Sequence, residues 1–468
     1  MITWGISSES HNAALSVFVF DILLFASESE RFSGIKNDPQ LNDGIISHAL
    51  QYGKPSRVCW YENPYKKQVR QLLAGQGWQE NFRKYIDAPI HYCDHHYSHA
   101  CAGFFTSRFD DSAIVVIDAI GEFQTLTIWE AEGNKIKLKY QERYPQSVGL
   151  WYSAMTQRCG LKPNEEEYIL MGMSAYGDPD RLREDIKDLT HLNLHCGCES
   201  WRPDLTTEQD MYDIAAATQD VYSDLFESTL KRAKTLVKSK NLVLMGGCAL
   251  NCAANPIAYK YFDDVWIMPA PGDSGSAIGA VLAYKKKHIE WKGPYLGYDI
   301  KKKASNLSIV NYLLNHQICG VARGRAEFGP RALGNRSLFA DPRGSEIKDR
   351  VNEIKLRQKF RPFAPVIMEE FASEYFDLSH PSPYMQHVVK CLRPDEFPAI
   401  VHVDGTSRVQ TVNEQQNPDL YELLRLFYDA TGCPMLLNTS LNVKGKPMVN
   451  NEADCIKWQE DYGVRVFS

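Results

Sequence analysis

Residues 113–129 read AIVVIDAIGEFQTLTIW, and the fold expected for the first half of the chain depends on this stretch. An apolar strand leads into a polar turn that contains Asp118 and Gly121, and a second strand follows. Residues 2–28 show a similar pattern, with apolar strands around the polar turn SSESHN. Two such hairpins predict a duplicated half-domain with a ligand between the halves. Two unrelated hairpins remain the alternative.

The amino-acid composition is typical of soluble globular proteins. Its 468 residues predict two or three domains, and 44% hydrophobic with 24% charged residues is typical of globular proteins. The net charge of -6 gives no general attraction to nucleic acid or to anionic membranes. No apolar run of about twenty residues and no secretory signal are visible. The 12 scattered cysteines favour a reduced, cytoplasmic location over a disulfide framework. The lysine-, glycine- and proline-rich residues 285–303 predict a domain boundary.

A histidine pair lies in HYCDHHYSHA, residues 91–100. His95 and His99 are four residues apart, so they share one face of a helix. With Asp273, in PAPGDSGSAIGA, they form a set that suits a divalent metal with open positions for substrate. A surface or core histidine pair is the alternative, and Asp273 also fits the N-cap of a helix that begins at Ser274.

The stretch NLVLMGGCALNCAANP, residues 241–256, predicts a strand, a turn at Gly246 and Gly247, and then a helix. Such a turn directs the N–H groups of a helix N-terminus at an anion, usually phosphate. Asn251 and Asn255 would share a face of that helix and reach a ribose or base. Strand–glycine–helix turns without ligands also occur. Residues 210–239 predict a separate amphipathic helix.

The second half contains GRAEFGPRALGNRSLFADPR, residues 324–343. Glycine and proline turns between its arginines predict a rigid cradle for an anion, with a solvated basic face as the alternative. The arginines are Arg325, Arg331, Arg336 and Arg343. Later, PMLLNTSLNVKGKPMV predicts a strand that ends in Asn438 and Ser440, which either bind substrate or cap the strand.

Together these stretches resemble the O-carbamoyltransferase family of antibiotic and nodulation-factor biosynthesis, and the resemblance spans nearly the whole chain. Its most specific motifs are GRAEFGPRALGNRSL, FRPFAPV, PMLLNTSLN, DHHYSHA and MGGCALN. The resemblance implies an α/β protein. A duplicated actin-like ATPase (Kae1-like) domain would span residues 1–300. A YrdC-like α/β domain that makes carbamoyl-adenylate would span residues 301–468.

The resemblance also implies the activation chemistry. Carbamoyl phosphate would lose phosphate to give carbamate, which attacks the α-phosphate of ATP to give carbamoyl-AMP and pyrophosphate, with Mg²⁺ assisting. The cofactor-binding residues expected from the motifs are Asp118, Gly121, Gly246, Gly247, Asn251, Arg325, Arg331, Lys355, Arg361, Arg408, Asn438 and Ser440. Among these, Arg331, Lys355, Arg361 and Arg408 match the family's anion ligands.

For the transfer step, the resemblance implies that His95, His99 and Asp273 hold a metal, with iron expected. His11 matches the general base on the acceptor hydroxyl, and Lys36 is a second expected catalytic residue.

Three departures from the family concern the acceptor side: a shortened region between Gly177 and Asp210, Asn12 in place of the usual Asp, and EEEYILMG in place of the usual Gly-Lys before MG. The expected acceptor is a hydroxyl of a sugar-like small molecule, or of a hydroxymethylated nucleotide or DNA base. No membrane partner is expected, and a homodimer is left open. The alternative functions are a threonyl-carbamoyl transferase acting on tRNA and a nucleotide-binding sensor with an actin-like fold.

Overall fold

The computed structural model describes all 468 residues and divides into two compact units. The first unit consists of Met1–Ser29 and Asn37–Trp291. The second consists of Glu30–Lys36, which contains the short helix α1 (Glu30–Ser33), and Lys292–Ser468. None of the helices combines the length and apolar character that crossing a membrane requires.

The first unit contains two five-stranded sheets with the same topology. The first sheet has the order β3-β2-β1-β4-β5 and consists of β1 (Ile2–Ser7), β2 (Ala14–Val19), β3 (Ile22–Glu28), β4 (Arg57–Trp60) and β5 (Ile90–Tyr92). The second has the order β8-β7-β6-β9-β10 and consists of β6 (Asp111–Gly121), β7 (Gln124–Glu132), β8 (Lys135–Arg143), β9 (Asn241–Met245) and β10 (Asp264–Ile267).

In each sheet three antiparallel strands are followed by two parallel ones. The strands β1, β2 and β3 pair antiparallel, whereas β4 and β5 add in parallel. The strands β6 to β10 repeat this arrangement. The repeated order agrees with the predicted duplication and excludes two unrelated hairpins.

Eight helices belong to the first unit: α2 (Asp43–Leu50), α3 (Pro64–Leu73), α4 (His95–Thr106), α5 (Val148–Arg158), α6 (Glu167–Met173), α7 (Arg183–Asp188), α8 (Glu208–Leu236) and α9 (Asp273–Lys285). The amphipathic helix predicted at 210–239 is α8, and a capping box with Thr207 as N-cap forms its N-terminus. The helices α4 and α9 lie in close contact because Gly279 has no side chain: a Cβ there would be 1.9 Å from the Ser98 carbonyl oxygen.

Two local predictions are wrong. No α-helix follows Gly246 and Gly247, and the chain instead forms 3₁₀ turns at Gly247–Leu250 and Asn255–Lys260. The Asn251 side-chain oxygen accepts a hydrogen bond from Ala254 N at 3.1 Å, and Pro256 lacks a backbone donor, so the turn is not extended. The helix α9 begins at Asp273 with Gly272 as N-cap, so the Asp273 side chain does not cap it.

The second unit is organised around one six-stranded mixed sheet with the order β18-β15-β19-β14-β12-β20. The strands of the second unit in chain order are β11 (Tyr295–Ile300), β12 (Ile318–Ala322), β13 (Gly324–Glu327), β14 (Arg336–Ala340), β15 (Ala364–Met368), β16 (Val388–Lys390), β17 (Thr406–Arg408), β18 (Gln410–Val412), β19 (Met435–Ser440) and β20 (Val466–Phe467). Its helices are α10 (Asn306–His316), α11 (Ile347–Ile354), α12 (Ala372–Tyr375), α13 (Pro418–Thr431) and α14 (Glu452–Tyr462). Strands β11 with β13 and β16 with β17 form two small ribbons.

Candidate functional sites

The first unit places two imidazoles and two carboxylates around one point. His95 and His99 lie one turn apart on α4, and their Nε2 atoms are 3.1 Å apart. Asp118 Oδ2, from the end of β6, is 3.2 Å from His95 Nε2 and 3.1 Å from His99 Nε2. Asp273 Oδ1, from the first turn of α9, is 3.4 Å from each of the same two nitrogens. All four residues are buried.

These separations fit a bound metal ion. Neighbouring ligand atoms about 2.0–2.2 Å from one ion lie roughly 2.8–3.6 Å apart. The separations given above are 3.1–3.4 Å, and all four ligand atoms lie within 4.8 Å of one another. Imidazole nitrogen with carboxylate oxygen suits iron, zinc and similar divalent ions. The structure therefore brings together the predicted His95, His99 and Asp273 and adds Asp118, which the sequence had placed among the nucleotide contacts.

The two buried carboxylates of this group favour a positive charge beside them. Burial alone would raise the pKa of Asp118 and of Asp273, but interactions with the two imidazoles outweigh it and lower both values. Burial opposes a charged His95, yet the Asp273 charge and hydrogen bonds to the carboxylates raise the pKa of His95 well above its ordinary value. Two buried anions thus attract cationic charge, which a divalent metal supplies.

Two neighbours fix His95. A Cβ on Gly121 would lie 2.2 Å from His95 Cδ2, so only glycine lets the ring occupy its position. The Glu122 carboxylate accepts hydrogen bonds from His95 N at 3.2 Å and from Asn63 N at 2.6 Å, and thereby satisfies the N-terminus of α4. Burial raises the pKa of Glu122 to about 7. Gly121 was predicted to bind cofactor, and the structure gives it this packing role.

A buried ion pair connects His95 with the turn that carries His11. Glu62 Oε2 is 3.8 Å from His95 Nδ1, and Lys67 Nζ donates to Glu62 Oε1 at 2.8 Å. Lys67 also donates to the Glu9 carbonyl at 3.0 Å, in the turn between β1 and β2. His11 itself is exposed in that turn. The sequence analysis did not identify Glu62 or Lys67, because their contacts with His95 and with the Glu9 carbonyl join residues that are distant in the chain.

The Gly246–Gly247 turn lies beside Asp118. Gly247 N and Ala119 N donate to Asp118 Oδ1 at 3.4 and 2.8 Å, which leaves Oδ2 for the histidines. Asn251 forms a reciprocal amide pair with Gln219, at 3.0 and 3.2 Å. The turn therefore positions a carboxylate, and its predicted phosphate and ribose contacts stay predictions.

In the second unit, a buried ammonium group lies at the end of β19. Lys355 is 4% exposed, and its Nζ donates to the Ser440 hydroxyl at 3.2 Å and to the Asn442 carbonyl and side-chain oxygens at 2.9 and 3.0 Å. All of these acceptors are uncharged. Burial, followed by the charges of Arg357 and Arg361, lowers the pKa of Lys355 well below its ordinary value. A bound anion would relieve this unfavourable environment.

The loop that contains Arg331 is held from inside by Glu327. The Glu327 Oε1 atom accepts hydrogen bonds from Leu333 N and Asn335 N, both at 2.7 Å, and from Arg336 N at 3.2 Å. The sequence analysis did not identify Glu327. Its buried carboxylate fixes the Gly-Pro-Arg turn and so places the half-buried Arg331.

The predicted four-arginine cradle is wrong for two members. Arg336 is fully buried and donates to backbone carbonyls, including Tyr298 O at 2.8 Å and Asn450 O at 3.1 Å. Arg343 pairs with Asp341 at 2.6 Å. Arg336 therefore holds backbone segments together, and Arg343 forms an ion pair with a neighbouring residue, so the four arginines do not form one anion cradle.

The remaining predicted cations have different surroundings. Arg325 donates to Leu296 O and Gly297 O, at 2.5 and 3.3 Å. Arg361 and Arg408 are both half-buried, and the Nε atom of Arg408 is buried without a hydrogen-bond partner. Lys36, predicted to be catalytic, belongs to the second unit and pairs with Glu30 at 2.8 Å. The roles of all four in binding or catalysis stay predictions.

Comparisons with known proteins agree with these two units. A family model described as carbamoyltransferase N-terminus matches residues 48–204 and 198–282, and one described as carbamoyltransferase C-terminus matches residues 310–467. An uncharacterized protein of Synechocystis sp. is 30% identical over 575 residues, covering 97% of this chain and 93% of its own length. Nodulation protein NolO of Bradyrhizobium diazoefficiens is 33% identical over 415 residues, covering 78% and 75%. The 3'-hydroxymethylcephem-O-carbamoyltransferase of Amycolatopsis lactamdurans is 33% identical over 513 residues, covering 97% and 95%.

Proposed function

The chain belongs to the carbamoyltransferase family and is a transferase, and from this premise we propose that it is an ATP-dependent O-carbamoyltransferase. It makes carbamoyl-AMP in a YrdC-like second unit and transfers the carbamoyl group to an acceptor hydroxyl in a Kae1-like, actin-like first unit. The observation that carries the proposal is the buried Lys355, which has only uncharged acceptors and lies near two arginines. An anion such as carbamoyl phosphate, bound beside these cations, would compensate their buried positive charge.

In the second unit, the donor is activated. Carbamoyl phosphate reacts with water to give carbamate and phosphate. A carbamate oxygen then attacks the α-phosphorus of ATP, the bond to the bridging oxygen breaks, and pyrophosphate leaves with carbamoyl-AMP as the other product. Arg331, Lys355, Arg361 and Arg408 neutralise the charge on the phosphates, with Mg²⁺ as a further counter-ion.

In the first unit, His95, His99, Asp118 and Asp273 hold a divalent metal, for which we propose Fe²⁺. When bound, this metal supplies a Lewis acid that polarises a carbonyl oxygen. His11 removes the proton of the acceptor hydroxyl, whose oxygen then attacks the carbamoyl carbon, and AMP leaves with its electron pair. Lys67 holds the turn of His11 through the Glu9 carbonyl.

The acceptor is a small molecule that carries a hydroxyl group. One relative is named as acting on a 3'-hydroxymethylcephem, whose acceptor is a primary alcohol on a small molecule, and another is a nodulation protein. We therefore favour a sugar-like or hydroxymethyl compound over a hydroxymethylated nucleotide or DNA base. The net charge of -6 also disfavours DNA.

The test is incubation of the protein with ATP, carbamoyl phosphate, Fe²⁺ and a panel of hydroxylated acceptors that includes a sugar, a hydroxymethyl heterocycle, a hydroxymethylated nucleoside and tRNA. Mass spectrometry detects the gain of one carbamoyl group. Carbamoylation that requires ATP supports the proposal. Carbamoylation without ATP, or modification of the tRNA alone among the acceptors, contradicts it.

A further inference from the structure

Arg70, in the last turn of α3, is a half-buried arginine whose guanidinium group has no partner in the protein. Its Nε is buried without a hydrogen bond, and neither Nη atom donates to a protein oxygen or forms an ion pair. Burial lowers the pKa of Arg70, so the charge is held in an unfavourable environment. A guanidinium carries five N–H donors, and all five are available here to a ligand.

The carboxylates around Arg70 are used elsewhere. The charges of Glu62 and Glu122 raise the pKa of Arg70, but burial outweighs them. Glu62 Oε1 accepts a hydrogen bond from Lys67 Nζ at 2.8 Å. The Glu122 carboxylate accepts hydrogen bonds from backbone N–H groups at and before the N-terminus of α4. The protein therefore provides nearby negative charge but no oxygen atom for the donors of Arg70.

Two aromatic rings lie beside this arginine. The ring centroids of Tyr144 and His195 are 5.8 Å apart. Burial, followed by the charge of Arg70, lowers the pKa of His195, so the imidazole is near the guanidinium. Asn193 holds the loop of His195, because its Nδ2 donates to Pro145 O at 2.6 Å and its Oδ1 accepts from His195 N at 2.8 Å. His195 belongs to the shortened region, in which this chain departs from the family on the acceptor side.

The ring of His95 separates two sides of the candidate metal centre. Its Nε2 faces Asp118, next to the turn expected to bind nucleotide, whereas its Nδ1 faces Glu62 at 3.8 Å. Arg70 lies on the Glu62 side. Lys67 precedes Arg70 by one helical turn and donates to the turn that carries the proposed general base. A ligand held by Arg70 is thus on the side of that base and not on the side of the expected nucleotide turn.

We propose that the acceptor carries an oxyanion, either a carboxylate or a phosphate, which Arg70 binds beside Tyr144 and His195. This inference rests on the proposed function and narrows its acceptor class. The guanidinium fork matches two oxygens of a carboxylate or of a phosphate. The two aromatic rings provide apolar surface for the body of a small molecule. Arg70 is thus a specificity-determining residue for anionic acceptors.

The test compares three ligands with one hydroxymethylphenyl body: 4-(hydroxymethyl)benzoate, 4-(hydroxymethyl)phenyl phosphate and the neutral 4-(hydroxymethyl)benzamide. Calorimetry on the full chain without ATP measures their dissociation constants. We expect the wild-type protein to bind one of the two anions at least about tenfold more tightly than the amide, and the preferred anion tells carboxylate from phosphate. In Arg70→Met this ratio should fall towards one. Lys66→Met is the matched control and should keep the wild-type ratio, because Lys66 is an exposed cation of the same helix that pairs with Asp94 at 2.6 Å.

The outcomes separate this inference from the proposed function. Formation of carbamoyl-AMP from ATP and carbamoyl phosphate, measured without any acceptor, tests the proposed function alone. A wild-type ratio below tenfold, or the same ratio in Arg70→Met, overturns this inference only. An equal loss of AMP binding in Arg70→Met would make Arg70 a nucleotide contact and would also overturn it.

Thermal unfolding of the same variants checks the role of Arg70 independently of any ligand. Arg70→Met removes no hydrogen bond and no ion pair, and it removes a charge that burial disfavours. Its Tm should therefore not fall below that of the wild-type protein. A fall of several degrees would show that Arg70 holds the fold together, and the assignment of Arg70 to a ligand would then be wrong.

Discussion

Adding one methyl group at Gly121 should disrupt the candidate metal centre. A Cβ at this position would lie 2.2 Å from His95 Cδ2 and 2.5 Å from Cγ, whereas ordinary contacts begin at 3.4 Å. The His95 ring must therefore move by about 1.2 Å, whereas metal–ligand distances tolerate only about 0.2 Å. We expect Gly121→Ala to weaken metal binding by at least about 10- to 100-fold, the loss typical of residues that only orient a ligand.

The assay is titration of metal-free protein with Co²⁺, whose visible absorption reports its ligands, combined with thermal unfolding. Gly172→Ala is the control, because Gly172 lies in α6 and a Cβ there meets no atom within 4 Å. The control should bind Co²⁺ normally, and alanine should stabilise its helix slightly. A folded Gly121→Ala protein that binds Co²⁺ with wild-type affinity would refute the assignment of His95 as a ligand.

Three further predictions concern the other groups. Arg331→Ala should abolish pyrophosphate release that depends on carbamoyl phosphate. Arg343→Ala, which removes only an exposed arginine that pairs with Asp341, should not, and equal rates for the two variants in a pyrophosphate assay would remove Arg331 from the site. His11→Ala should still form carbamoyl-AMP but transfer it at least about 100-fold more slowly, and normal transfer in a mass-spectrometric assay would require another base. Burial, assisted by the charge of His380, lowers the pKa of His387 from 6.5 to about 4, so its contribution to stability is present above pH 6.5 and is lost as the pH falls to about 4. Denaturant unfolding at about pH 7 and about pH 4.5 should show a loss of unfolding free energy that is larger in the wild-type protein than in His387→Gln, by up to about 3 kcal/mol. Equal losses in the two proteins would contradict this prediction.

Local sequence patterns predicted the elements that depend on near neighbours. Alternation of apolar residues around a polar turn was enough to predict the hairpins at 2–28 and 113–129, and helical spacing brought His95 and His99 to one face. The predicted position of the second turn was wrong, because Asp118 and Gly121 belong to β6 and the chain turns at Glu122 and Phe123. The two hairpins were the basis for predicting a duplication, and in the structure each hairpin belongs to a five-stranded sheet of the same strand order.

Contacts between distant residues were not predictable in this way. Asp118, which lies beside both histidines, belongs to the part of β6 between Ile117 and Gly121 where the pairing with β7 is irregular, and local composition does not predict such a change of register. Arg336 looks like an anion ligand in the sequence, but it binds carbonyls from Tyr298 and Asn450 that no local pattern reveals.

The helix expected after Gly247 failed for a local reason that the sequence did contain. The Asn251 side chain forms its own turn with Ala254, and Pro256 cannot extend a helix through this region. At this position the local preferences of these two residues outweigh the general strand–glycine–helix pattern.

The most direct measurement is a rapid-quench reaction with ATP and carbamoyl phosphate labelled at the carbonyl carbon, in the presence of metal and acceptor. We expect labelled carbamoyl-AMP and pyrophosphate to appear in equal amounts before labelled acceptor accumulates. Labelled acceptor that forms while ATP remains intact would contradict the proposed route through an adenylate.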